Sequence, residues 1–188
     1  MRVAEIVRGA PALEPAFIQA ARRLVEKGAA AITSSCGFSI RHQVAAAHAV
    51  NVPVALSSVL LLPSLLKQLA PSAKIAVLTF DATRCGEDVI GLPRRDDRTR
   101  VVVGGIEGGV FWRNELTHPT PATDDATVQH EVDEAVVHLR EQHPEIGAIL
   151  FECAWFPSIA PAIRKSANLP VYDITTLCRM LLESAPPA

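Results

Sequence analysis

The sequence predicts an α/β fold: two pseudo-symmetric halves built from parallel-sheet βα units, with a cleft between them. Three observations carry this. Short apolar runs alternate with amphipathic segments along all 188 residues, the pattern of strands covered by helices. Two of the runs, KIAVLTF (74–80) and RVVVGG (100–105), stay apolar through their centres, as strands buried on both faces do. The first part of the chain also matches the second when shifted by 117 residues.

The elements follow in order. Leu13, Phe17, Ala20, Ala21 and Leu24 recur at helical spacing, so 12–27 is a helix, stopped by Gly28. AAAIT (29–33) is a short strand broken by SSCG, 39–50 returns to helix, and Asn51 ends it before the strand VPVAL (52–56). A helix over 59–70 runs to Pro71. After the strands at 74–80 and 100–105, Val128, Val132, Val136 and Leu139 mark a helix that starts near Asp124, with Thr123 and Asp124 as capping groups. The strand AILF (148–151), a helix over 158–167, the strand PVYDI (170–174) and a helix over 175–184 complete the chain. The halves divide at 1–72 and 73–188.

Composition narrows the function. Apolar residues make up 49% and aromatics only 5%, so the core is aliphatic. A net charge of −2 with acids and bases interleaved provides no basic stripe, which argues against nucleic acid or an anionic membrane as partner. The opening MRVAEIVRGAP has no apolar signal-peptide core. The most apolar stretch, residues 52–66, is interrupted by serines and Pro63 and falls short of the roughly 18–20 residues that span a bilayer. A cytoplasmic protein is expected.

Four cysteines stand at 36, 85, 153 and 178, with no CxxC pair and no zinc-like Cys/His spacing. Two of them are related by the 117-residue shift, which lays Cys36 on Cys153, Ala31-Ile32 on Ala148-Ile149, and Asn51-Val52-Pro53-Val54 on Asn168-Leu169-Pro170-Val171. Only 8 of 33 positions agree over 31–63, but they fall on the strand cores, the strand-end cysteine and the helix stop. Each cysteine therefore sits at the carboxyl end of a strand, where ligands bind in open parallel sheets, and before a helix whose N-terminus lowers a thiol's pKa from about 8.5. Two thiols across one cleft can move a proton on and off opposite faces of a carbon acid without a cofactor. Cys178, in the apolar LCRMLL, reads as core. Cys85, in DATRCGED, reads as a thiol exposed at a helix start, with little functional weight.

Around these cysteines the sequence resembles the cofactor-independent aspartate/glutamate racemase superfamily, which includes amino-acid and hydantoin racemases, maleate isomerase and arylmalonate decarboxylase. The resembling motifs are Ser34-Ser35-Cys36-Gly37-Phe38, Glu152-Cys153-Ala154-Trp155-Phe156-Pro157 and Val77-Leu78-Thr79-Phe80-Asp81-Ala82. The resemblance implies an isomerase, a racemase or epimerase of a carbon acid of the amino-acid or hydantoin type. Cys36 and Cys153 would be its acid/base pair, Ser35, Gly37 and Phe38 one wall, and Thr79 and Thr83 the carboxylate hydroxyls. It implies neither metal nor pyridoxal phosphate, and a small carboxylate or related carbon acid as ligand. A decarboxylase, a cis–trans isomerase or an inactive racemase-like domain are the alternatives. Where the family usually has Thr-Asn after the second cysteine, this chain has Ala154-Trp155, which implies a bulkier or less polar ligand at that end.

Under the same shift KIAVLTF has no partner in the first half. The expectation is an N-terminal half shortened by one strand, unless MRVAEIV supplies it, with an open edge that favours a homodimer. Gly104-Gly105-Ile106-Glu107-Gly108-Gly109 fits no phosphate-loop pattern and reads as a flexible strand-to-helix loop. His130-Glu131 reads as a solvated helix face, and Arg94-Arg95-Asp96-Asp97-Arg98 as a surface loop.

Overall fold

A computed structural model describes residues 3–185. Met1 and Arg2, the start of the opening stretch, and residues 186–188 lie outside the described residues. The chain opens with helix α1 (Val3–Val7), then α2 (Glu14–Glu26) and strand β1 (Ile32–Thr33). A 3-10 segment (Gly37–His42) leads into α3 (Gln43–His48), followed by β2 (Val54–Ala55). A second 3-10 turn (Ser58–Leu61) leads into α4 (Leu62–Gln68) and the central strand β3 (Lys74–Thr79). Two one-turn helices, α5 (Glu87–Ile90) and α6 (Arg95–Arg98), precede β4 (Val101–Gly105), α7 (Val110–Leu116) and α8 (Asp125–Gln142). Strand β5 (Ile146–Phe151), α9 (Ala160–Ala167), β6 (Val171–Tyr172) and α10 (Ile174–Glu183) close the chain.

Every strand pairing is parallel. One sheet has the order β4-β3-β5-β6 and a second contains β1 and β2. The internal repeat is written into the pairing itself. Ile32 pairs with Val54 and Thr33 with Ala55, while Ile149 pairs with Val171 and Leu150 with Tyr172, each 117 residues on. The entering hydrogen bonds repeat with the same offset: Ile32 N–H donates to Pro53 O and Ile149 N–H to Pro170 O, both over 2.9 Å.

Most of the core lies around β3 and β5, whose residues from Ile75 to Leu78 and from Ala148 to Phe151 are buried. Ala21, Ile32, Ala46 and Leu56 form a smaller core under the two-stranded sheet. The sheets are joined where the hydroxyl of buried Ser58 donates to the Phe151 carbonyl over 2.5 Å. Caps explain several boundaries. Asp173 accepts from the backbone N–H of Thr175 and Thr176 to start α10, and Asp124 accepts from Thr127 N–H to start α8.

Four expectations are corrected. Val3–Val7 is helical, so the opening stretch supplies no strand among the described residues. Among the described residues the two sheets differ by two strands rather than one, because β4 as well as β3 lacks a counterpart under the shift. Residues 95–98 form a helical turn tied down by Arg98 against Glu87 over 3.5 Å, not a loop. Glu131 does not face solvent: the glycine loop leads from β4 into α7, and Glu131 caps that helix by accepting from Val110 N–H, and from Phe111 N–H over 3.4 Å. Glu131 therefore holds an element in place.

Candidate active site

Both cysteines that the repeat relates open onto one cavity of about 180 Å³. Cys36 lies beyond the end of β1 and leads into the 3-10 segment that follows; Cys153 lies two residues beyond the end of β5. Ser35, Gly37, Phe38, Ala154 and Trp155 line the cavity with them. Local hydrogen bonds shape the first motif. Cys36 N–H donates to Ser34 Oγ over 3.3 Å, and that hydroxyl lies 2.9 Å from Ser39 Oγ.

Thr79 and Thr83 are not among the cavity residues. Thr79 is fully buried and its hydroxyl donates to Glu152 Oε2 over 2.7 Å. Thr83 is exposed, and its hydroxyl donates to Asp81 Oδ1 over 2.5 Å within the turn after β3. Neither hydroxyl faces the cavity. Cys85 is buried rather than exposed, and Cys178 packs against the core.

The fold adds residues that sequence reasoning left out. Phe80 comes from the end of β3, Phe111 and Glu115 from α7, and Val3, Ile6 and Val7 from α1. Glu152, conspicuous in the sequence as an acid ending an apolar strand, also lines the cavity. Four aromatic rings thus surround it, with Phe111 tilted against Trp155 at 4.9 Å and edge-on to Phe80 at 6.0 Å between centroids. Among the described residues the lining includes two carboxyl groups and no Lys or Arg.

One cation lies just behind this wall. Arg41 sits 5.4 Å over the Phe38 ring, pairs with Asp88 over 2.6 Å, and donates to the carbonyls of Val7 and Arg84. It thereby clamps α1 onto the cavity. Gly9, at φ +65°, makes the turn out of α1, and a side chain there would strike the Arg41 stem.

Electrostatics set the resting state of the thiols. Burial, and next the charge of Glu152, push Cys36 up to about 12, although backbone N–H groups of Phe38 and Ser39 pull the other way. Cys153 is pushed up by the same two causes in the same order. The expectation that helix-end dipoles would lower these thiols is therefore overturned, because desolvation wins. Glu152 itself is driven up to about 7 by burial, despite the Thr79 hydrogen bond and the attraction of Arg41. Burial also raises Glu115.

No family model matches this chain. Solved structures do. It superposes on allantoin racemase from Klebsiella pneumoniae with a TM-score of 0.67 over 93% of this chain and 66% of that one, at 17% identity. Glutamate racemase from Francisella tularensis gives 0.58 over 97% and 69%, at 16% identity. The chain has the fold of the Asp/Glu/hydantoin racemase superfamily. In sequence it is similar to dimethylsulfoniopropionate lyase 3 of Emiliania huxleyi, 32% identical over 183 residues that cover 89% of this chain and 45% of that protein. It is also similar to dimethylsulfoniopropionate lyase of Durusdinium sp. clade D, 31% identical over 159 residues, 79% of this chain and 50% of that one. The chain thus spans about half the length of these curated relatives. They are named lyases, where the sequence reading expected an isomerase. No described helix is long and apolar enough to cross a membrane.

Proposed function

We propose that this chain is the catalytic part of a lyase that removes a proton next to a carboxylate and expels a β-sulfonium group, with dimethylsulfoniopropionate as the substrate to test first. The observation that carries the proposal is that Cys36 and Cys153 line one aromatic cavity in a chain similar to dimethylsulfoniopropionate lyases over most of its length.

The lining suits the cationic end of such a substrate. Aromatic faces attract cations within about 6 Å of the ring centroid, and Phe38, Phe80, Phe111 and Trp155 offer four rings. Glu115 and Glu152 add carboxyl groups to this wall, and among the described residues no Lys or Arg lines it. Ala154 and Trp155, the departures from the resembled family, fall on this wall and make it less polar.

The chemistry follows. A thiolate at Cys36 takes the proton from the carbon next to the carboxylate. The C–H electron pair becomes a carbon–carbon double bond, and the β-carbon–sulfur bond breaks with its pair leaving on sulfur. Neutral dimethyl sulfide and acrylate result, with one proton released overall. Cys36 is the better base of the two: backbone N–H groups oppose the burial of both thiols, but only at Cys36 does the charge of Arg41 add to them. Cys153 faces the same space as a hydrogen-bond donor to the developing negative charge.

A second reading is racemisation of a carbon acid, with each thiol serving one stereochemical direction. The paired cysteines and the racemase fold favour it. The two readings separate in one experiment. The purified chain is incubated in D₂O with dimethylsulfoniopropionate, and in parallel with a panel of amino acids and hydantoins. Dimethyl sulfide in the headspace with acrylate in the proton spectrum supports the lyase. Loss of the α-proton signal without a new product supports the racemase and overturns the lyase.

A further inference from the structure

Glu152 stands apart from the other buried acids. It is 1% exposed, one oxygen is held by Thr79, and the other, Oε1, has no hydrogen-bond partner. That free oxygen is packed against Gly37: a Cβ at position 37 would come within 2.5 Å of it. Glu152 therefore reaches the residue that follows Cys36, while its own backbone leads directly into Cys153, and it lines the same cavity as both thiols. A buried carboxyl oxygen without a partner is costly. Its position beside two proton-carrying groups points to exchange of a proton.

We propose that Glu152 is the proton relay of this site: its Oε1 takes the proton that Cys36 acquires from substrate, and so restores the thiolate. The step rests on the elimination reading for the source of the proton. In it the Cys36 S–H bond breaks, its electron pair stays on sulfur as thiolate, and an O–H bond forms on Oε1. The carboxylic acid then loses the proton to solvent. Racemisation creates no net proton, whereas the elimination releases one per turnover from a largely apolar cavity, so a relay answers a need specific to it. The charged and titratable groups around Glu152 are the three thiols Cys36, Cys85 and Cys153, and Arg41, which is itself paired with Asp88. Glu115 lies across the cavity.

The test separates proton sharing from substrate identity. Alkylation of Cys36 by iodoacetamide, followed by mass spectrometry from pH 6 to 9, reports its thiolate without any substrate. A lone thiol gains about tenfold in rate per pH unit below its pKa, whereas a thiol that shares a proton with a carboxyl flattens above the carboxyl's pKa. The native chain is expected to flatten above about pH 7, and Glu152→Gln to keep rising. Identical profiles overturn the proposal. Should Glu152→Gln not fold, Thr79→Val keeps the carboxyl but removes its hydrogen bond, and must move the flattening to higher pH; an unmoved profile overturns the proposal equally. With dimethylsulfoniopropionate, Glu152→Gln is expected to lower kcat about tenfold or more and leave KM unchanged. Flattening that disappears while kcat stays native overturns the relay. Flattening in a chain that forms no dimethyl sulfide keeps the proton sharing and removes the lyase reading.

Discussion

Gly37 and Glu152 touch so closely that no side chain fits between them: a Cβ at position 37 would lie 2.1 Å from the Glu152 backbone carbonyl and 2.5 Å from its Oε1. This contact lies between the ends of β1 and β5, beside the cavity that both cysteines line. Gly37→Ala is expected to cost about 1–3 kcal/mol or more by overpacking, measured by urea denaturation, and to lower turnover further by spreading the two strand ends. Native stability and activity in this variant would show that the two ends can separate freely.

Stability should carry the signature of Glu152. Its folded-state pKa is raised from 4.5 to about 7, with burial as the cause. Between those values the folded chain binds more protons than the unfolded chain, so stability falls as pH rises through the window and is level above it. Glu152→Gln removes this loss. The variant is expected to exceed the parent by about 3 kcal/mol at pH 8, with the difference shrinking below pH 4.5. Denaturation curves at pH 4 and pH 8 check it, and a pH-independent difference would contradict it.

The cysteines should divide cleanly. Cys36→Ser and Cys153→Ser are each expected to abolish turnover, because a hydroxyl is a far weaker acid than a thiol. Cys178→Ser should retain activity and stability. Cys85→Ser should retain activity, but its hydroxyl falls in a buried site and costs about 1–3 kcal/mol. Turnover and thermal melting of the four variants test the set together, and an active Cys36→Ser would end the thiol mechanism.

Aromatic truncation should report the cationic end of the ligand. Trp155→Leu and Phe111→Leu keep apolar bulk but remove the π face, so each is expected to raise KM for a sulfonium substrate roughly 3- to 30-fold, the equivalent of about 0.5–2 kcal/mol. Inhibition by an uncharged thioether analogue should change little. Replacing Ala154 by Thr together with Trp155 by Asn trades the ring for hydrogen-bonding groups, and should move preference toward small acidic amino acids. Equal losses for charged and uncharged ligands in the Leu variants would indicate that the rings act by shape alone.

The sequence by itself determined the alternation of strands and helices, because periodicity is a local property: the apolar centres of KIAVLTF and AILF and the helical spacing of Val128, Val132, Val136 and Leu139 need no tertiary partner to be read. It also paired Cys36 with Cys153, since the 117-residue repeat carries each to the same strand end, and the hydrogen-bonding register keeps that offset. Tertiary structure decided the rest. Thr79 and Thr83 read as ligand groups because they stand near a strand end, but direction matters more than position there, and their hydroxyls turn to Glu152 and Asp81. Helix α7 was hidden among glycines because its N-terminus is capped by Glu131 from a distant helix, a bond no local window contains. Phe111, Glu115 and the α1 residues reach the cavity only through such long-range docking. The thiols' ionisation was misread for the same reason: the helix-end effect is local and legible, whereas burial and the Glu152 charge that outweigh it exist only once the chain has folded.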